Sequence, residues 1–184
     1  MDIKRQIQLA MVLILGLCLC GAIFGDVIYV DIDAGGGGGT SWTDAYKYLQ
    51  DGLDAAVATP GDDEIRVAQG IYEPDTSGLT DVREATFQLV NGAVIYGGYA
   101  GYGEADPDGR DIENNPTILN GDIGSQGVDT DNCYHVVTGN DCDSTAVLDG
   151  FTVTAGNADG SFPHDRRAGM YNDNGSPTVT NCIF

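Results

Sequence analysis

The sequence predicts an all-β protein, a parallel β-helix or solenoid that begins with one amphipathic capping helix. Two observations predict this fold: a motif that recurs with 29 residues between equivalent positions, and short β-branched segments with no helix between them after residue 61. The motif stands at 89–92 (LVNG), 118–121 (ILNG) and 147–150 (VLDG). The next unit would begin near Val179, which lies 31 residues after Leu148. We therefore expect each unit to stack on the preceding one.

The amino terminus has the pattern of a secretory signal peptide over residues 1–25. Two basic residues precede an apolar run at 9–24, after which polarity rises sharply. Cleavage is expected after Gly25, with Ala22 as the alternative. The run is shorter than the roughly 18–20 apolar residues that span a bilayer, which argues against a transmembrane anchor. The sequence thus predicts a secreted or cell-surface protein with no membrane span in the mature chain.

The length of the chain limits the number of domains, and its charge limits the kinds of partner. The 184 residues suffice for one domain, predicted at 26–184, with the first strand and capping helix at 26–61 and the stacked units at 62–184. The chain has only 8 Lys and Arg against 28 Asp and Glu, which gives a net charge of -20. This charge argues against nucleic acid as a partner. No cofactor is predicted: acidic loops can hold Ca²⁺, but solvated loops are the favoured interpretation.

A first strand at 27–31 and a glycine-rich turn at 35–39 lead into the predicted helix. Ser41 and Asp44 have the spacing of a capping box, and 59–61 (TPG) would end the helix. The helix would cover the apolar end of the stack. Its predicted apolar face consists of Trp42, Ala45, Tyr46, Leu49, Leu53, Ala56 and Val57.

The rest of the chain reads as short strands bounded by Gly, Asn, Asp or Pro. A unit of this length is too brief for a propeller blade and lacks the leucine spacing of a leucine-rich repeat. The predicted strands are 64–68, 86–90, 93–96, 117–119, 134–138, 146–148, 151–154 and 178–184.

Seven segments together carry a family resemblance: 28–31, 40–46, 67–72, 96–99, 117–123, 134–137 and 148–153. They resemble the amino-terminal half of secreted bacterial right-handed parallel β-helix proteins with a pectin-lyase-like fold, some of which carry repeats like those of polymorphic outer membrane proteins. The resemblance implies a right-handed solenoid. Residues 168–184 resemble the opening of the family's repeated unit, so we expect the chain to be truncated at its carboxyl end.

Candidate cysteine and metal-binding residues are few. The exported chain keeps three cysteines, of which Cys133 and Cys142 have a spacing that allows a disulfide, although each also suits a small buried residue. The loop 106–111 places three carboxylates together, so it either wraps a Ca²⁺ ion or is simply solvated. His135 fits a structural histidine on a strand, and His164 a loop residue. The sequence therefore assigns no catalytic, cofactor-binding or metal-binding residue.

The predicted function is a secreted or cell-surface scaffold, non-catalytic, for adhesion or carbohydrate contact. Its partners would be extracellular polysaccharides or cell-surface components. The alternative is an extracellular polysaccharide lyase or glycoside hydrolase of the pectin-lyase-like fold, with a cleft formed by loops 102–115 and 157–168. Five tyrosines could contact sugar rings, although packing in an ordinary core is the favoured interpretation: Tyr29, Tyr96, Tyr99, Tyr102 and Tyr171.

Overall fold

A computed structural model describes residues 25–58 and 61–184. All of the predicted leader except Gly25 lies outside these residues, as do Thr59 and Pro60 of the predicted helix end. One α-helix, α1, spans Leu49–Ala58. No helix in the described ranges is long and apolar enough to cross a bilayer. The strands are β1 (Val27–Val30), β2 (Asp63–Ala68), β3 (Gly70–Tyr72), β4 (Phe87–Gln88), β5 (Ala93–Tyr99), β6 (Thr117–Asn120), β7 (Val137–Thr138), β8 (Val147–Asp149), β9 (Phe151–Thr154), β10 (Met170–Tyr171) and β11 (Thr178–Thr180).

The strands form three parallel sheets. Sheet 1 has five strands in the order β1-β2-β5-β8-β11, sheet 2 has the order β3-β6-β9, and sheet 3 has the order β4-β7-β10. From β2 onward the chain visits sheets 1, 2 and 3 in turn. Side chains alternate between the two faces of each strand, so residues paired in register line one face together.

Branched aliphatic residues in register build the core. On the inner face of sheet 1, Ile28 pairs with Ile65, Ile65 with Ile95, and Ile95 with Leu148, and all four are buried. β-branched residues pack well on a pleated surface, and burying each such side chain contributes about 1.5–3 kcal/mol relative to exposure. Residues of sheets 2 and 3, such as Phe151 of β9, belong to the same apolar cluster.

The predicted fold class is wrong. Instead of an all-β right-handed parallel β-helix, residues 25–58 and 61–184 form three short parallel sheets that lie side by side, with one helix and no closed barrel or solenoid. This arrangement is closer to an α/β-like fold.

The physical reason lies in the recurring motif, whose three copies do not stack on one another. Val90 comes just after β4 of sheet 3, Leu119 lies in β6 of sheet 2, and Leu148 lies in β8 of sheet 1. Leu148 pairs instead with Ile95, and only the predicted equivalence of Leu148 and Val179 is a true register pair. The motif therefore marks an apolar strand end followed by a turn, in whichever sheet that strand lies.

The predicted helix begins too early. Residues Trp42–Asp44 form a separate 3₁₀ turn, and Ser41 makes no side-chain cap hydrogen bond there. Tyr46 is extended, because its backbone N–H donates to the Tyr29 carbonyl (2.9 Å) and its own carbonyl accepts from Asp31 (2.8 Å). Two hydrogen bonds to β1 thus replace those of the first helical turns. Of the predicted apolar face, Leu49, Leu53 and Ala56 are buried in the helix, whereas Val57 is exposed.

Helix α1 packs so closely on sheet 1 that Gly52 is required at the contact. A Cβ atom there would lie 2.7 Å from Cγ2 of Val30. We expect Gly52→Val to lower the free energy of unfolding by about 2 kcal/mol through overpacking, as measured by urea denaturation. The exposed Val57→Ala is the matched control and should stay within about 0.5 kcal/mol of the wild type. Equal stability of the Gly52→Val protein would show that the helix can move away from the sheet.

Candidate functional site

Two adjoining cavities of about 520 and 350 Å³ share Tyr48 and Glu73. We call the two together the Tyr48 groove. Volumes of this size are in the range of sites for small ligands. The lining residues are Ile32, Tyr48, Leu49, Gln50, Asp51, Ile71, Tyr72, Glu73, Pro74, Asp75, Thr76, Ser77, Asn120 and Gln126.

The groove lies where helix α1 begins and where strands β3 and β6 end. These strands are parallel neighbours, with Tyr72 paired to Leu119, so the residues that follow each strand meet at one edge of sheet 2. Asp51 lies in the first turn of α1, where the helix dipole favours a negative charge. At the opposite wall, Asp75 accepts a hydrogen bond from the Ser77 backbone N–H (2.8 Å), and the Ser77 hydrogen bonds lower the pKa of Asp75.

The groove combines exposed apolar surface with hydrogen-bonding groups. Tyr48 is 58% exposed and Ile71 is 56% exposed. Beneath them Tyr72 is buried, and its hydroxyl donates to the Ala68 carbonyl (3.1 Å) and accepts from the Ile32 N–H (3.3 Å). Burial raises the pKa of Tyr72, so this hydroxyl stays neutral. The amides and carboxylates of the lining can bind hydroxyl groups of a ligand that packs on Tyr48.

Three of the five tyrosines predicted to contact sugars lie together on the outer face of sheet 1, but their rings contact arginines. The Arg66 guanidinium carbon is 5.7 Å from the Tyr29 ring and 5.6 Å from the Tyr99 ring, and that of Arg110 is 4.9 Å from the Tyr96 ring. Both arginines also pair with carboxylates. These three rings therefore pack against arginine side chains of the protein itself. The exposed Tyr48 was missed because it lies outside the apolar stripe of the predicted helix.

The carboxylates of the loop 106–111 point to different partners. Asp108 accepts hydrogen bonds from Trp42 Nε1 (3.1 Å) and Arg66 Nη1 (2.9 Å). Asp111 instead accepts from the backbone N–H of Asn114 (3.1 Å). In the described ranges, no group of three or more His, Cys, Asp or Glu side chains is placed to hold a metal ion. Binding of Ca²⁺ by this loop stays a prediction.

The three cysteines of the described chain are free thiols. Cys133 is fully buried, and burial raises the pKa of its thiol to about 12. The Cys142 thiol donates to the Leu89 carbonyl at 3.1 Å. The disulfide between Cys133 and Cys142 stays a prediction that counting of free thiols in the secreted protein would test.

The two histidines are neighbours in a small cavity of about 200 Å³, with ring centroids 5.4 Å apart and ring planes tilted by 34°. His135 is buried and stacks on Tyr171 with ring centroids 4.8 Å apart, while His164 stacks on Tyr134 at 4.4 Å. This contact was not predicted, because each histidine was interpreted only from its neighbours in sequence. The only relevant feature of the sequence is that the chain has 2 His in total.

Comparison with known proteins identifies no relative. No protein-family model, curated protein or solved structure matches this chain. The resemblance to secreted pectin-lyase-like proteins stays a prediction, and the function has to be argued from the Tyr48 groove.

Proposed function

We propose that this chain is an exported, non-catalytic scaffold that contacts neutral carbohydrate through the Tyr48 groove. The observation that carries the proposal is an exposed aromatic ring, Tyr48, which lines both adjoining cavities, one with Gln50 and the other with Asn120 and Gln126. An aromatic face packs against the apolar face of a sugar ring, and planar amides bind its hydroxyl groups. The leader pattern at 1–25 supports a location where polysaccharides are met.

The charge of the groove favours a neutral glycan over an acidic one. Asp51, Glu73 and Asp75 line it, and the whole chain carries a net charge of -20. The carboxylates of a uronate polymer would be repelled by this surface at low ionic strength. Neutral sugars carry no such penalty, and their hydroxyls can donate hydrogen bonds to the same carboxylates.

A glycoside hydrolase is the second candidate because the same three carboxylates share the groove. Hydrolysis of a glycosidic bond needs a pair of carboxyl groups that flank it. A lyase would instead need a basic residue to remove a proton next to a uronate, and the negative lining favours this less. Release of new reducing ends from a neutral glycan would distinguish the hydrolase from a binding scaffold.

The Tyr48→Ala variant tests the proposed groove. We expect its affinity for neutral oligosaccharides, such as β-glucan or xylan fragments, to fall about tenfold, or ~1.4 kcal/mol, in isothermal titration calorimetry. The matched control is Phe162→Ala, which removes another exposed aromatic ring that lies outside the groove lining. Unfolding midpoints of both variants should equal that of the wild type.

Three results would contradict the proposal. If the wild type binds polygalacturonate but no neutral glycan, the charge argument fails. If Tyr48→Ala and Phe162→Ala lose affinity equally, the binding surface lies elsewhere. Sustained release of reducing ends by the wild type would replace the scaffold with the hydrolase.

A further inference from the structure

The contact between the two imidazole rings joins one specific nitrogen of each. Nε2 of His135 and Nδ1 of His164 lie 3.3 Å apart. Both rings are held in place, since His135 stacks on Tyr171 and His164 stacks on Tyr134. The separation is therefore built into the packing around the rings.

The outer nitrogen of His135 faces an oxygen that can only accept a hydrogen bond. Nδ1 of His135 lies 3.2 Å from the backbone carbonyl oxygen of Arg167, so it must carry the proton. Nε2 of His135 therefore presents a lone pair towards His164. Nε2 of His164 lies 3.9 Å from Oε1 of Glu84, which is longer than a hydrogen bond.

The lone pair of His135 Nε2 can accept a hydrogen bond from Nδ1–H of His164, or it can bind a metal ion that replaces this proton. Bonds between zinc and histidine nitrogen are about 2.0–2.1 Å long, so two nitrogens at a tetrahedral angle are separated by roughly 3.3–3.4 Å. The observed separation is that of two ligands of one tetrahedral metal ion.

We propose that His135 and His164 bind one divalent transition-metal ion of the zinc class through Nε2 and Nδ1, respectively. Neutral imidazole suits Zn²⁺, Cu²⁺ and Ni²⁺. The Arg167 carbonyl then acts as the outer partner that orients His135, and Glu84 is the nearby carboxylate that can do the same for His164 once it moves closer than 3.9 Å. The remaining positions of the ion open into the cavity, which polar side chains such as Thr86, Gln88 and Thr138 line.

With two protein ligands, the site is expected to bind more weakly than a four-ligand structural zinc site. It is separate from the Tyr48 groove, so loss of either function leaves the other testable.

Long-range ¹H–¹⁵N NMR of the untagged, ¹⁵N-histidine-labelled protein tests the proposal directly, because the chain contains 2 His. We expect one equivalent of Zn²⁺ to shift the resonances of His135 Nε2 and His164 Nδ1. In calorimetry, His164→Gln should lower the Zn²⁺ affinity at least 30-fold and Glu84→Gln about tenfold. Asp165→Asn is the control, since it removes the carboxylate next to His164 and should leave the affinity unchanged.

Three results would overturn the proposal. The first is an unchanged spectrum with excess Zn²⁺, which would show that a direct Nδ1–H to Nε2 hydrogen bond joins the rings. The second is a shift of the outer nitrogens. The third is Zn²⁺ binding that survives in His164→Gln, which would place the ion on surface carboxylates. The wild-type spectrum decides the matter even if a variant fails to fold.

Discussion

Trp42→Ala is expected to lower the free energy of unfolding by about 3–5 kcal/mol, the range for removing a buried Trp. Trp42 is 7% exposed and packs against Tyr29 and Tyr99, with centroid distances of 5.0 and 5.6 Å. Its Nε1–H donates to Asp108 at 3.1 Å. The substitution therefore leaves a cavity on sheet 1 and releases the loop 106–111.

The measurement is urea unfolding monitored by far-ultraviolet circular dichroism. Fluorescence cannot be used, because the chain has 1 Trp and the variant lacks it. Trp42→Phe keeps an aromatic ring but loses the hydrogen bond, so we expect an intermediate loss of about 1–2 kcal/mol. Phe162→Ala removes an exposed ring and should change stability by less than about 0.5 kcal/mol. Equal unfolding curves for Trp42→Ala and Phe162→Ala would show that Trp42 does not support the fold.

The role of Trp42 also shows what sequence periodicity can and cannot predict. Trp42, Leu49, Leu53 and Ala56 share one helical period, and the last three do lie on the buried face of α1. Trp42 fits that period only by coincidence. The backbone of Tyr46 is hydrogen-bonded to Tyr29 and Asp31, so Trp42 and Leu49 cannot belong to one continuous helix. Local pattern predicted the apolar residues well, but only the non-local pairing determines which element holds them.

The predicted fold class is wrong for a related reason. Most predicted strands overlap observed ones, and 151–154 agrees fully with β9. Strand pairing is a long-range property, however, and loops of unequal length place equivalent-looking motifs in different sheets. Val90, Leu119 and Leu148 look alike in sequence because each precedes a turn. A periodic turn signal therefore predicted where strands end and did not predict which strands are neighbours.

Both sites depend on segments far apart in the chain. The Tyr48 groove joins the start of α1 to the loop at 73–77 and to Asn120, and the histidine cavity joins β7 to the loop around His164. A sequence pattern relates each residue only to its neighbours along the chain. An exposed Tyr or a single loop histidine belongs to no such pattern, and only the tertiary structure brings the partners together.

Arg83 holds the loops of the histidine cavity together, so its removal should have the second largest effect. Its Nε–H donates to the Asn132 carbonyl (2.7 Å), and Nη2 donates to the Asn157 carbonyl (2.8 Å) and to Asp159 (2.6 Å). The guanidinium carbon also lies 4.2 Å from the centre of the Tyr134 ring. One side chain thus joins the segments before β7 and after β9.

We expect Arg83→Met to lower the free energy of unfolding by about 3 kcal/mol, because partly buried carbonyls lose a charged donor. The matched control is Arg166→Met: Arg166 pairs with its exposed neighbour Asp165, and loss of such a pair costs about 0–1 kcal/mol. Urea unfolding of the two variants would measure the difference. If both lose the same stability, the hydrogen bonds of Arg83 are dispensable.

The same substitution links stability to the proposed metal site. Tyr134 lies between Arg83 and His164, since the guanidinium contacts one ring and the ring stacks on the imidazole. The hydrogen bonds of Arg83 go to Asn132, Asn157 and Asp159, although its side chain also lines the cavity. Loss of its positive charge alone would strengthen the binding of a cation, so weaker Zn²⁺ binding must come from a changed position of His164. In Arg83→Met protein that is still folded, Zn²⁺ should bind more weakly than in the wild type and still shift the same two nitrogens. A full wild-type affinity would mean that the tyrosine stack alone positions His164.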